Sequence, residues 1–217
     1  MIETGPAGVP PAPGVPPAPG LLLAPGLLLA PGAGADRDQP ALVAIERALV
    51  GAGAVVVRMD FPYRKAGRRA PDRADKLVAA VAAEAEAMRP RVGWLAVGGR
   101  SMGGRMASVA VAGGLPADGL VLVSYPLHPP GRPEKLRTEH FAGLSVPCLF
   151  VSGTRDAFAS PDELAQAVGG IPGPVTLRWV EGGDHGLRRA DEEVASLVAA
   201  WLAGAVAGAG RWRGGRG

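Results

Sequence analysis

Short runs of valine and leucine alternate with helix-like segments along most of this chain, and this alternation constrains the fold more than any other feature. Strand-like runs occupy residues 27–30, 54–59, 92–97, 120–124, 146–151 and 175–180. Helical spacing occupies residues 40–50, 73–88, 102–111, 161–168 and 191–205. Such alternation is typical of a parallel sheet covered by helices on both faces and joined by right-handed crossovers. We therefore predict an α/β fold with a doubly wound, mostly parallel sheet in a three-layer α/β/α sandwich.

The amino-terminal segment repeats itself instead of alternating. Residues 9–14 return as 15–20, and the sequence Leu-Leu-Leu-Ala-Pro-Gly occurs at 21–26 and again at 27–32. Proline at this density opposes helices and central strands, so we predict a disordered arm over residues 1–20. Only one leucine copy can enter the sheet, and we choose 27–30 because helical spacing follows it directly. The predicted domain spans 21–208, and a basic flexible tail spans 209–217.

Helix-end signals are clearest around residues 40–50. Asp38 is a candidate N-cap for this helix, and Gly51 is the expected stop.

Composition excludes several classes of protein. The net charge of +3 is small, and the basic residues are not interleaved with aromatic residues. We therefore predict no nucleic-acid partner. The single Cys148 excludes an internal disulfide, and in its apolar run it is expected to pack as a small hydrophobe. No apolar run reaches a membrane span of about 18 residues, and no basic residue precedes the leucine-rich stretch. We expect a cytoplasmic protein without a membrane partner, a metal or a cofactor; the oligomeric state stays open.

The strand at 92–97 leads into the motif Gly99-Arg100-Ser101-Met102-Gly103, which matches the nucleophile elbow G-x-S-x-G. In such an elbow the serine sits on a strained turn, and the glycines make room where helix and strand backbones approach. The string alone is weak in a glycine-rich chain, but a strand before it and a helix after it strengthen the interpretation. A glycine-rich phosphate-binding turn is the alternative, although no lysine follows at the required spacing.

Two further reactive residues follow later strands. Asp156 comes just after the run at 146–151, and His185 comes after the run at 175–180. Asp156 alone is more simply read as a turn cap or a partner of Arg155, and Asp184 is a competing carboxylate beside His185. The order serine, aspartate, histidine, each after a parallel strand, is that of an α/β-hydrolase triad. We predict that Ser101 is the nucleophile, His185 its base and Asp156 the residue that orients the base.

Other parts of the predicted site follow from the same sheet edge. The backbone N–H of Met102, at a helix N-terminus, is one candidate oxyanion donor, and Gly32 or Ala33 after the first strand is the other. A dinucleotide loop is excluded there because Arg37 stands where a third glycine is required.

The long loop after residue 124 lies where a substrate loop is expected. Tyr125 and His128 in this loop, together with Arg100, are the predicted substrate contacts. Arg100 and the loop cations could attract an anionic substrate, but a solvated charged surface is the interpretation the sequence favours; the loop cations are Arg132, Lys135 and Arg137.

An ordered series of motifs over about residues 27–190 resembles the small dienelactone-hydrolase-related α/β hydrolases. This group includes testis-expressed protein 30 and the hydrolase-like domain of the third regulatory subunit of the NSL complex. The resemblance rests on Pro31–Gly34, Arg58–Tyr63, Gly98–Gly104, Ser124–Pro130, Gly153–Asp156 and Gly183–His185. It implies the α/β-hydrolase fold and places Ser101, Asp156 and His185 on the family's triad positions.

Two departures from this family accompany the resemblance. Pro31 takes the place of a histidine in the first loop, and the proline-rich repeat stands where one or two earlier strands are usual, which leaves open whether the sheet lacks them. The predicted activity is hydrolysis of a small ester, thioester or related acyl substrate through an acyl-enzyme. The alternative is a non-catalytic binding or scaffold protein on the same fold.

Overall fold

The structure, a computed structural model, describes residues 23–213. Its strands are β1 (Pro25–Ala30), β2 (Val55–Arg58), β3 (Trp94–Arg100), β4 (Gly119–Val123), β5 (Cys148–Gly153) and β6 (Val175–Val180). Its α-helices are α1 (Pro40–Gly51), α2 (Pro62–Lys65), α3 (Ala74–Met88), α4 (Met102–Ala112), α5 (Pro161–Val168) and α6 (Asp191–Arg213). The predicted arm over residues 1–20 lies outside the described residues.

The strands form one sheet in the order β2-β1-β3-β4-β5-β6, and every neighbouring pair is parallel. β1 lies one strand in from an edge, β2 forms that edge, and β3 to β6 then follow in sequence toward the other edge. The predicted doubly wound parallel sheet is confirmed. The strand from the leucine repeat is the second copy, as predicted, and it begins at Pro25.

Alternate residues of the strands point to opposite faces and feed two buried cores. On one face Leu28 and Val97 pack with α3 and α4, and on the other Leu27 and Ala96 pack with α1 and α6. The central strands are buried on both faces, which explains their continuous apolar runs. This arrangement is the predicted three-layer sandwich.

Several local predictions were wrong. Gln39, not Asp38, is the N-cap residue of α1, and the Asp38 carboxylate instead accepts a hydrogen bond from Arg58 at 2.8 Å. Gly51 is the last residue of α1 and not the residue after it. The continuous apolar run at 54–59 predicts a strand buried on both faces, but β2 is an edge strand and all four of its residues are half-buried.

The last helix is longer than predicted. It continues to Arg213, into the range expected to be a flexible tail, while residues 214–217 lie outside the described residues. The stretch Asp191–Ala209 has the length and apolar composition of a membrane span, a test that core helices of soluble proteins also pass. Within the fold, Val194, Val198 and Leu202 of this helix are buried against the sheet and α1.

Cys148 is fully buried in β5, and burial raises the pKa of its thiol to about 12. The thiol therefore stays neutral and packs as the predicted small hydrophobe.

Candidate active site

The turn between β3 and α4 holds Ser101 in a strained backbone conformation. Its φ is 51° and its ψ is −116°, a combination that non-glycine residues seldom adopt. The Ser101 N–H donates to the Val123 carbonyl of the neighbouring strand at 2.8 Å, and the Ser101 carbonyl accepts from Arg105 at 3.0 Å. The sheet and the first turn of the helix thus hold the serine at the carboxyl edge.

Both glycines of the G-x-S-x-G motif are required by close backbone approach. A Cβ on Gly99 would lie 2.0 Å from the Ala30 carbonyl oxygen, and a Cβ on Gly103 would lie 2.2 Å from the same atom. Gly99 also has a φ of 149°, which side-chain-bearing residues rarely adopt. The steric reason predicted for these glycines is therefore found in the structure.

The loops after β5 and β6, which carry Asp156 and His185, are joined by hydrogen bonds. The Arg155 N–H donates to the Gly183 carbonyl at 2.8 Å, and the Gly182 N–H donates to the Thr154 hydroxyl at 2.8 Å. These bonds fix one loop relative to the other.

Ser101, His185 and Asp156 form a continuous line of contacts above the sheet. Ser101 Oγ lies 2.9 Å from His185 Nε2, and His185 Nδ1 lies 2.8 Å from Asp156 Oδ2. With a proton on Nδ1, the ring donates to the carboxylate and accepts the Ser101 proton at Nε2. The Asp156 carboxylate is buried and also accepts the Phe158 N–H at 2.8 Å.

The structure separates Asp156 from the competing carboxylate. Asp184 is exposed, and within the described part of the chain no hydrogen bond joins it to the His185 ring. The sequence preference for Asp156 therefore agrees with the geometry.

Two side chains besides Ser101 and Asp156 restrict the position of His185. The Phe158 ring stacks on the His185 ring with centroids 4.0 Å apart. The Arg100 Nη2 donates to the His185 carbonyl at 2.6 Å. Burial lowers the pKa of Arg100 from its usual value, opposed by the nearby acidic side chains. Arg100 lines the cavity and is bonded to the histidine loop; the substrate contact predicted for it stays a prediction.

Of the three predicted oxyanion donors, one N–H is already hydrogen-bonded within the protein and two are available for a substrate. The Gly32 N–H donates to the Gln39 side-chain oxygen at 3.0 Å, and the Gly34 N–H donates to the Tyr63 hydroxyl at 3.1 Å. Among the described residues, the N–H groups of Ala33 and Met102 have no such partner, and both residues line the cavity. Ala33 and Met102 are therefore the better-placed pair.

A cavity of about 430 Å³ opens in front of Ser101. Its lining combines backbone donors, apolar side chains and three arginines: Gly32, Ala33, Arg100, Ser101, Met102, Arg105, Pro126, Arg137, Phe158 and His185.

Two predicted substrate contacts are not among these lining residues. Tyr125 is fully buried and its hydroxyl donates to the Arg137 carbonyl at 2.6 Å. His128 is also buried, with its ring nitrogens near the Pro129 carbonyl and the Glu163 carboxylate. Both residues stabilise the long loop, so the contacts predicted for them are not found.

A second serine–histidine pair lies inside the protein. Ser108 Oγ is 2.8 Å from His140 Nε2, and Ser108 is fully buried. Burial lowers the pKa of His140 to about 4, so its ring is neutral near pH 7. The Ser108 hydroxyl is closed to solvent and His140 is half-buried beside it, so we assign this pair to packing.

Sequence reasoning missed Arg105, Phe158 and Gln39. Arg105 falls one helical turn after Ser101, a spacing that places it on the nucleophile's face of α4. That spacing was available as a signal, whereas the contacts of Phe158 and Gln39 depend on loop conformation. No group of three or more metal-binding side chains occurs within residues 23–213.

Known proteins resemble this chain both in sequence and in structure. A sequence model of the alpha/beta hydrolase domain matches residues 24–208. Est1E from Butyrivibrio proteoclasticus is similar in structure, with a TM-score of 0.72 at 15% identity over 88% of this chain and 92% of that one.

Two other solved structures show the same likeness. A dienelactone hydrolase from Anabaena variabilis has a TM-score of 0.66 at 18% identity, covering 85% of this chain and 87% of its own. A monoacylglycerol lipase from Paleococcus ferrophilus has a TM-score of 0.68 at 14% identity, covering 85% and 97%. At these identities the likeness concerns the fold.

Proposed function

This chain belongs to the alpha/beta hydrolase domain family, and we propose that it is a serine hydrolase that cleaves a small ester, thioester or related acyl substrate. The observation that carries the proposal is the line of contacts from Ser101 through His185 to Asp156. In this series the imidazole can take the proton of the hydroxyl and later give it up, while the buried carboxylate stabilises the charged ring. This is what acyl transfer to serine requires.

In the first half of the proposed reaction, Ser101 Oγ attacks the substrate carbonyl while its proton passes to His185 Nε2. The carbonyl oxygen becomes an oxyanion and accepts hydrogen bonds from the N–H groups of Met102 and Ala33. The intermediate then collapses, the bond to the leaving group breaks, and His185 returns the proton to the departing alcohol or thiol. An acyl-enzyme on Ser101 remains.

In the second half, a water molecule replaces the leaving group. His185 removes a proton from this water as its oxygen attacks the acyl carbon, and the same oxyanion donors act again. Collapse releases a carboxylic acid and restores the Ser101 hydroxyl with the proton held by His185. Asp156 stays ionised throughout and stabilises the charged imidazole.

Contacts around the histidine loop and the first loop support the proposed roles. Phe158 and Arg100 restrict the ring and the backbone of the histidine loop, which keeps Nε2 facing the hydroxyl. Pro31 replaces the histidine usual in the first loop, yet Gln39 and Tyr63 fix that loop through Gly32 and Gly34. Narrower kinship with the dienelactone-hydrolase-related group and a cytoplasmic location remain part of the proposal.

Hydrolysis of p-nitrophenyl esters with acyl chains of increasing length tests this function. We expect the wild type to turn over short esters and Ser101→Ala to lose about 10⁴-fold or more in kcat. Ser196→Ala, an exposed serine on α6, is the matched control and should match the wild type.

Two results would contradict the proposal. One is Ser101→Ala retaining the wild-type rate. The other is a folded wild type that is inert to both oxygen esters and thioesters, which would favour a binding or scaffold role for the fold.

A further inference from the structure

Besides Arg100, which is bonded to the histidine loop, two arginines line the cavity beside the nucleophile. Arg105 projects from α4 one turn after Ser101, and Arg137 comes from the long loop between β4 and β5. Both are half-buried, unlike Arg132 of the same loop, which is exposed. The cavity therefore contains positive charge that is partly removed from solvent.

Among residues 23–213, no carboxylate forms an ion pair with either guanidinium, although the charge of the exposed Glu139 also acts on Arg137. The Arg105 Nε is buried without a hydrogen bond to these residues. Within the described part of the chain, the Arg137 guanidinium donates only to the Pro126 carbonyl, at 3.3 Å. Outside the cavity, the half-buried arginines of the described residues form ion pairs: Arg58 with Asp38 and Glu46, Arg64 with Asp36, and Arg89 with Asp118.

The two charges also act on each other. Burial is the main cause that lowers the pKa of Arg137 from its usual value, and the Arg105 charge lowers it further. Burying a charge without a partner costs free energy that an incoming anion would offset.

The Arg137 backbone is fixed on both sides. Its N–H donates to the Leu127 carbonyl at 2.8 Å, and its carbonyl accepts from the buried Tyr125 hydroxyl at 2.6 Å. The long loop thus presents Arg137 from an ordered position, and Tyr125 is a positioning residue for it. A backbone that is already ordered reduces the entropy lost when the side chain binds a ligand.

The remaining wall of the cavity is apolar. Met102, Pro126 and Phe158 line it between the backbone donors and the arginines. A short carbon chain fits such a wall, while paired guanidinium groups match the planar oxygens of a carboxylate or the oxygens of a phosphate.

We propose that the substrate cleaved at Ser101 carries, besides its scissile acyl bond, an anionic carboxylate or phosphate group that binds between Arg105 and Arg137. The inference rests on the proposed function and assigns its substrate class. Because hydrogen bonds to a charged partner are stronger than those between neutral groups, we expect a preference of about tenfold or more for the anionic substrate.

Esters with the same chain length but different charge test the inference. Mono-p-nitrophenyl glutarate carries a carboxylate, p-nitrophenyl pentanoate is its neutral counterpart, and p-nitrophenyl 4-phosphonobutanoate carries a phosphonate. We expect the wild type to favour an anionic ester over the neutral one by about tenfold or more in kcat/KM. The two anionic esters show which oxygen group is preferred.

Variants assign the preference to the arginines. Arg105→Gln and Arg137→Gln should each lower the ratio of anionic to neutral kcat/KM by about tenfold, and Arg132→Gln should leave it unchanged. A wild type that favours the neutral ester, or a ratio unaffected by both cavity variants, would overturn the inference while leaving the serine chemistry in place.

Binding measured without turnover separates the two proposals. Calorimetric titration of Ser101→Ala with glutarate and with 4-phosphonobutanoate should show binding to at least one, which adding Arg105→Gln weakens about tenfold or more. Binding of this kind in a protein inert to every ester would retain the anion site and reject the hydrolase. Absence of binding to both would reject the anion site.

Discussion

At the scale of single residues, two carboxylates lie close in sequence or space to the same imidazole, and burial distinguishes them. The Asp156 side chain is fully buried and contacts His185 Nδ1, whereas Asp184 is exposed. A buried acceptor interacts with a developing imidazolium more strongly than a solvated one, because water does not screen it. We therefore propose that Asp156, and not Asp184, acts in turnover.

Replacing each carboxylate by its amide tests that assignment. We expect Asp156→Asn to lower kcat by about 10²–10⁴-fold, because an amide no longer holds the Nδ1 proton or stabilises the charged ring. Asp184→Asn should change kcat by less than about threefold, since surface charges contribute little. Steady-state ester hydrolysis measures both, and equal losses in the two variants would contradict the assignment.

Residue types following strands were predictable, but side-chain contacts across loops were not. Ser101, Asp156 and His185 each follow a strand of the same parallel sheet, so the shared strand direction brings them to one edge. Sequence could not choose between Gly32 and Ala33, because the choice depends on the Gln39 side chain reaching back across its turn. Tyr125 and His128 were misassigned because their burial is set by tertiary packing.

At the scale of elements, the nucleophile turn depends on backbone contact between α4 and the end of β1. Gly103 leaves no space for a methyl group, since a Cβ there would lie 2.2 Å from the Ala30 carbonyl oxygen. Gly204, in α6, has open space around its Cβ position. The same substitution should therefore have opposite effects in the two helices.

Gly103→Ala should lower the free energy of unfolding by about 3 kcal/mol, because backbone must move to admit the methyl group. Gly204→Ala should raise it by about 0.5–1 kcal/mol through helix propensity. Urea denaturation compares the two. A Gly103→Ala protein as stable as the wild type would show that the strand and helix are not held at this distance.

Element positions were predicted well where periodicity is strong and less well at ends and edges. The bounds of α5 and β6 agree with the sequence prediction, because proline, glycine and the apolar pattern mark both ends. The edge position of β2 was not visible in its apolar run, since strand order is a property of the whole sheet. The one-turn helix α2 is too short to show a period.

At the scale of the whole molecule, α6 forms one outer layer together with α1. Leu202 is 2% exposed in the core beneath this layer, whereas Leu136, in the long loop, is 46% exposed. Leu202→Ala should destabilise the fold by about 2–5 kcal/mol, and Leu136→Ala by less than about 0.5 kcal/mol. Urea denaturation of both variants measures the difference. Equal stability would indicate that α6 is not packed in solution and would leave its apolar face for another surface.

The overall architecture followed from the sequence because strands and helices alternate without a long interruption before residue 124. Right-handed crossovers and burial on both faces leave few arrangements for such a pattern. The cavity did not follow, because it is enclosed by the long loop, whose course depends on contacts such as that between Tyr125 and Arg137.

The central claim is that Ser101 is an activated nucleophile, and covalent labelling tests it most directly. A fluorophosphonate probe forms a bond between serine oxygen and phosphorus and releases fluoride, so peptide mass spectrometry identifies the modified residue. We predict one adduct, on Ser101, in the wild type and in Ser196→Ala, and none in Ser101→Ala. A folded wild type that acquires no adduct, or a Ser101→Ala protein labelled to the same extent, would contradict the account.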